Sequence, residues 1–208
     1  MLIERPPKWY RALFPGALFR VEPAEDRKPR VFLTFDDGPI PGVTPWVLDC
    51  LDQFGIKATF FMVGQNIERN PSLFKEVVSR GHAIGNHTLH HIRGLGISAD
   101  EYFEDARATE ILTGSKLFRP PHGWLTPSQL RRIKENYKVV MFDLVTRDYN
   151  QHLTSSDITD IVKRLARDGS IIVFHDSIKS FPRIETALPE SIGWLKDRGY
   201  EFDLLSQL

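Results

Sequence analysis

From Val31 onward, short apolar runs rich in β-branched and aromatic residues take turns with stretches of helical periodicity, and this alternation limits the possible folds more than any other feature. The runs are VFLTF at 31–35, ATFFMVG at 58–64, HAIGN at 82–86, LFRP at 117–120, KVVMFDL at 138–144, IIVFHD at 171–176 and EFDLL at 201–205. Between them, Val47, Leu48, Leu51 and Phe54 recur at helical spacing, with Pro45 suited to a first turn and Gly55 to a stop. Asp157 or Ser156 can cap a second helix, whose Ile158, Ile161, Val162 and Leu165 share one face and which Gly169 ends. Strands separated by helices are parallel neighbours, because only a long crossover returns the chain to the same edge of the sheet. The expected class is therefore α/β, a parallel sheet covered by helices, open or closed into a barrel.

A chain of 208 residues, 41% hydrophobic and 26% charged, supports one substantial core. Residues 1–30, rich in Pro and Arg, are expected to form an irregular arm whose aromatics pack on the outside of the domain at 31–208. Lys plus Arg equals Asp plus Glu at 27 each, so no global field draws the protein to nucleic acid or to an anionic membrane. The first residues contain no apolar core long enough for a secretory signal, and no run could span a bilayer; the expectation is a cytoplasmic chain. The single cysteine, Cys50, has no disulfide partner and no activating base nearby in sequence, and is expected as a buried thiol.

Parallel α/β folds place their chemistry at the carboxyl ends of strands. Asp36 and Asp37 follow the first run, His87 and His91 the third, Arg119 ends the fourth, Asp148 follows the fifth and His175 ends the sixth. In GNHTLHH, His87 and His91 are four apart, which in a helical turn puts both imidazoles within reach of one ion. A carboxylate from another loop completes a two-His-one-carboxylate set, which leaves positions open for water and substrate and so suits catalysis. His90 and His82 are the competing imidazoles, and are read as structural or solvent-facing.

TFDDGP at 34–39, HTLHH at 87–91, RPPHG at 119–123, RDY at 147–149 and IVFHD at 172–176 together resemble the ordered motifs of the NodB-type polysaccharide deacetylases, carbohydrate esterase family four. The resemblance implies a distorted (β/α) barrel of about seven strands over roughly 31–205. It also implies metal-dependent removal of an acyl group, usually N-acetyl from an amino sugar. Carried over by position, it makes Asp37, His87 and His91 the ligands of one divalent ion, zinc first, with Co, Ni, Mn or Fe as alternatives. Asp36 becomes the general base, oriented by Arg119, and His175 the general acid, set by Asp148. The backbone N–H of His122 is assigned to the oxyanion, and Ile172 and Phe174 to the acetyl-methyl pocket. Trp124 offers a stacking face for a sugar ring, while Trp46 and Trp194 are expected in the core.

Two positions depart from the pattern: His122 stands where the family commonly has Tyr, and Tyr149 where it commonly has Trp. The implied partner is a carbohydrate bearing N-acetyl groups. A relative that deacylates or deformylates a small lipid- or nucleotide-linked amino sugar, or opens a cyclic amide, is the alternative among enzymes. Outside enzymes, the alternative is a carbohydrate-binding module that kept the barrel and lost turnover.

Overall fold

A computed structural model describes residues 3–23 and 27–205. In chain order its elements are α1 (Lys8–Ala12), β1 (Arg30–Asp36), α2 (Thr44–Gln53), β2 (Thr59–Met62), α3 (Gly64–Arg69), α4 (Pro71–Ser79), β3 (Ala83–Asn86), α5 (Ala99–Thr113), β4 (Leu117–Phe118), a 3-10 turn (Pro121–Gly123), α6 (Pro127–Lys134), β5 (Lys138–Val139), β6 (Leu144–Val145), α7 (Ser155–Leu165), β7 (Ser170–His175), α8 (Phe181–Asp197) and β8 (Glu201–Phe202). The sheet runs β5-β4-β3-β2-β1-β7-β6, and β8 pairs with the start of β1. Every pairing is parallel. The seven-strand path curls into a distorted (β/α) barrel, one of the two forms the alternation of elements allows.

β1 lies at the centre, buried along all but its first residue, which is why it reads as a continuous apolar run. Its alternate side chains serve two environments. Val31, Leu33 and Phe35 join the core under α2, α7 and α8, where Phe35 stacks between Phe60 and Phe174 at centroid distances of 5.0 and 6.1 Å. Phe32, Thr34 and Asp36 point the other way, Phe32 into a small cluster with Phe61, Val140 and Ile171. The strand thus carries its carboxylate on the barrel's interior face.

The run at 138–144 is not one strand. Val139 pairs with β4 and Leu144 with β7, so the intervening residues cross from one edge of the sheet to the other, and no straight strand could serve both. The N-terminal segment fills this seam. Leu18 N–H donates to the Val139 carbonyl (2.8 Å), Met141 N–H to the Leu18 carbonyl (2.7 Å), Val21 N–H to the Gly169 carbonyl (2.9 Å) and Val145 N–H to the Glu4 carbonyl (2.8 Å). Tyr10, Phe14 and Phe19 are buried in a cluster shared with Phe118, Phe142 and Val145, while Trp9 and Leu13 stay exposed. Arg11 of α1 donates to the fully buried Asp143 (2.8 Å), which also accepts from Arg167 Nε (2.9 Å) and Ser170 Oγ (2.8 Å).

α2 ends just before Gly55, at φ 65°, as its sequence implies. The cap of α7 is Thr154, not Asp157 or Ser156. Asp157 sits three residues in and returns the bond to the Thr154 N–H, forming a capping box. Gly169 does not end α7, which stops at Leu165; it makes the left-handed turn into β7. Cys50 is buried, and burial pushes its thiol up to about 11. Among the described residues no helix is long and apolar enough to cross a membrane.

Candidate active site

The carboxyl ends of β1 and β7 place two chemical groups side by side, because their parallel register pairs Asp36 with His175. Asp36 is buried and accepts a charge-assisted bond from Arg119 Nη1 at 2.6 Å. Arg119 enters the barrel from the end of β4 and is fully buried. Its guanidinium also donates to Thr34 Oγ1 (2.8 Å) and to the Met141 carbonyl (3.0 Å), and lies over the Phe61 ring at 4.0 Å. Every requirement for a buried cation is met, so its fork is fixed and it fixes Asp36.

His175 is held from behind by Asp148, which takes the Nδ1 proton at 2.7 Å and the backbone N–H at 2.6 Å. Burial works against charging this imidazole, but Asp148, then Asp37 and Asp36, outweigh it and raise its pKa to about 10. The pairing with Asp148 thus favours the protonated ring. The Tyr149 ring meets it edge-on at 5.0 Å, so an aromatic contact is kept at one of the two departing positions.

Asp37, His87 and His91 converge from two loops, with one potential ligand atom each, all within 4.8 Å of one another. Asp37 Oδ1 lies 3.2 Å from His91 Nε2 and 3.9 Å from His87 Nε2. The two histidines are not on a helical turn. They belong to an irregular stretch after β3, and Thr88 at φ 63° and His91 at φ 53° bend the chain so that the rings approach to 5.1 Å. Asp37 itself is at φ 85°, so left-handed, strained backbone gathers at this spot, as it does at functional sites.

The donors fit a divalent cation in charge and tautomer. His87 Nδ1 donates to the Arg119 carbonyl at 2.8 Å, which leaves the Nε2 lone pair for the cation, and burial lowers the imidazole's pKa to about 4. Burial opposes ionisation of Asp37, but the His91 hydrogen bond and the surrounding imidazoles hold its carboxyl well below the usual range. His90 turns outward onto Asp105 (2.6 Å), and His82 accepts from the Ala58 N–H at the far end of the sheet; neither joins the set.

These groups open into a cleft of about 890 Å³, lined also by His122, Trp124 and Tyr149. Ile172 and Phe174 do not reach it. The alternation of β7 turns both into the core beneath the helices, and it is Val173, with Val145 and Phe142 from the crossing segment, that gives the cleft its apolar floor. Counting back by two from His175 identifies Val173. Asp176, which its sequence position does not single out, has a buried carboxyl that accepts from Gly38 N–H (3.1 Å) and Thr44 Oγ1 (2.5 Å), and burial pushes it up to about 8. It braces the turn that carries Asp37, so closely that a Cβ on Gly38 would fall 2.1 Å from its Oδ2.

A buried carboxylate, an imidazole and a metal-competent trio therefore line one cleft at the carboxyl end of this barrel, the arrangement of a hydrolytic site. The family model described as polysaccharide deacetylase matches residues 24–142, more than half of the chain. A peptidoglycan-N-acetylglucosamine deacetylase of Bacillus cereus is 37% identical over 191 residues, 86% of this chain and 87% of that relative. The crystal structure of the Bc1960 peptidoglycan N-acetylglucosamine deacetylase, bound to 4-naphthalen-1-yl-N-oxidanyl-benzamide, superimposes with a TM-score of 0.86 at 31% identity, covering 97% of this chain and 95% of that one. The chain belongs to the polysaccharide deacetylase family. A pseudoenzyme of carbohydrate esterase family four from Bacillus anthracis shares the fold at 24% identity, with a TM-score of 0.80, covering 96% of this chain and 70% of that one; the barrel alone does not guarantee turnover.

Proposed function

We propose that this chain removes N-acetyl groups from amino sugars in a carboxylate-bearing glycan of the peptidoglycan type, using one divalent cation, zinc first. The observation that carries the reading is the meeting of Asp36, His175 and the Asp37–His87–His91 trio at the carboxyl ends of β1, β3 and β7. Two imidazoles and one carboxylate suit zinc, and three protein ligands leave room for substrate. A cation held there supplies Lewis acidity, polarising the amide carbonyl and easing deprotonation of the attacking water. Asp36, kept in place by Arg119, takes the proton of that water. The N–H of His122 offers a hydrogen bond to the oxygen as charge develops on it, since among the described residues it has no acceptor of its own. His175 gives its proton to the departing amine, and Asp148 keeps the ring turned to do so. A pure binding module needs neither the base nor the acid.

The cleft rim supports the substrate class. Arg93 and Lys179, from two different loops, line it, are exposed, and have no ion-pair partner among the described residues. Two uncompensated cations favour a glycan carrying carboxylates, such as the lactyl and peptide groups of peptidoglycan, over uncharged chitin oligomers. Acetate release from both substrates, before and after chelation and with zinc restored, tests the activity and its metal dependence. Formate instead of acetate would select the deformylase alternative, and no release of either the binding module. Arg93→Ala with Lys179→Ala is expected to lower kcat/KM on peptidoglycan about 2- to 10-fold, an effect that fades in high salt, and to leave chitin oligomers unaffected. Equal losses on both substrates would remove the argument for an anionic glycan.

A further inference from the structure

We propose that the N-terminal segment braces one wall of the cleft from behind, and that Tyr10 is a positioning residue which holds the His122–Trp124 turn in the form that presents its N–H to the substrate oxygen. The inference rests on the deacetylase reading for its chemistry, but its geometry stands alone. Tyr10 lies outside residues 24–142, which match the family model, so the match assigns it nothing.

The turn cannot hold itself. His122 and Gly123 are consecutive left-handed residues, at φ 60° and 68°. For a histidine that backbone costs about 1–2 kcal/mol, and Gly123, free to take either sign of φ, has no preference of its own. The turn's internal bonds are Gly123 N–H to the Pro120 carbonyl at 3.1 Å and Trp124 N–H to the Pro121 carbonyl at 3.4 Å, the second at the long limit. Strained backbone persists only where its surroundings over-determine it.

The N-terminal segment supplies that determination. The Tyr10 hydroxyl donates to the Gly123 carbonyl, and the Phe14 ring meets Trp124 edge-on at 5.9 Å. Fixing the Gly123 carbonyl fixes the plane of the following peptide, one end of the left-handed pair, while buried Arg119 anchors the other end. Tyr10 is rigid in turn. It is 3% exposed and packs against Phe14, Phe19 and Phe142, and its neighbour Arg11 is bonded to buried Asp143. A chain of contacts thus runs from the barrel seam, through α1, to the one backbone N–H the reaction needs.

Tyr10→Phe keeps the ring and removes the donor. Amide hydrogen exchange, kcat, KM, bound metal and thermal midpoint are measured on the same preparations, with Lys8→Ala, on the exposed face of α1, as a control expected to match wild type. Exchange at Gly123 and Trp124 is expected to quicken while that of β1 and β7 stays unchanged, and kcat to fall about 3- to 10-fold at constant KM and metal content, the worth of one hydrogen bond. Unchanged exchange at the turn overturns the proposal, whether or not the enzyme is active. So does unchanged kcat in a folded, metal-loaded variant, or a loss of kcat that merely follows lost metal or lost fold. Quickened exchange in a protein whose wild type releases no acyl group from any substrate would instead count against the deacetylase reading alone. Should Tyr10→Phe not fold, Phe14→Leu carries the same expectations and the same refutations.

Discussion

Asp36→Asn is expected to stay folded, to bind metal as wild type does, and to lose turnover by about 100- to 10,000-fold, the usual contribution of a general base. Adjacent carboxylates invite the suspicion that they are interchangeable, and the structure separates them. Asp36 faces the barrel interior and Arg119; Asp37, one residue on and left-handed, faces His87 and His91. Asparagine at 36 still offers Arg119 an acceptor, so the buried guanidinium is not stranded. Alanine would strand it, at a cost of about 3–5 kcal/mol, and would confuse lost chemistry with lost fold. Asp37→Ala is expected to lose metal and activity together. Bound metal, thermal midpoint and acetate release on the three proteins decide the matter. A folded, loaded and fully active Asp36→Asn protein would refute the base assignment; one that is folded but has lost its metal would mean the two aspartates are reversed.

The acid makes the second large prediction. His175→Ala is expected to lose about 100- to 10,000-fold in kcat and, with it, the alkaline limb of the pH profile. The sign follows from the protonated form being the active one: activity is present below the pKa of His175 and is lost as pH rises through it. The metal-free site raises that pKa to about 10, against burial, chiefly through Asp148. A cation at Asp37 cancels one of the lesser contributions, so the loaded enzyme turns off below that value. Asp148→Asn removes the largest support and moves the alkaline limb to lower pH. A limb that stays in place in Asp148→Asn, or survives in His175→Ala, would transfer the role to another group, and His122 on the cleft wall is the next imidazole to test.

Residues whose role depends on order along a strand could be found in the sequence. Asp36, His175 and Arg119 each close an apolar run, and a parallel sheet converts that order into a common rim. The convergence of His87 and His91 has a different cause from the one their spacing suggests: a spacing of four implies a helical turn, whereas left-handed residues do the bending, and these leave little trace when they are Asp, Thr and His. The apolar floor was misassigned because a resemblance names positions without saying which way they face, and the period of two around His175 would have corrected it. The segment at 138–144 reads as one strand because its residues are β-formers, and the pairing of its two ends with opposite sides of the sheet is a property of the assembled fold alone. Tyr10 could not be singled out, since its partner Gly123 lies 113 residues away, nor could the tie from α1 to Asp143, which Arg11 makes across 132 residues.

The register of β1 against β7 has a consequence for what misfolded forms this protein can adopt. A slip of one residue would bring Ile172 and Phe174 into the wet cleft and bury Val173 and the charged His175 among the rings of Phe35 and Phe60. The same error that disarms the chemistry also exposes two large apolar side chains and strands an imidazolium. For this strand, then, the register that packs the core is also the register that assembles the site, and a slipped form cannot be compact and well packed.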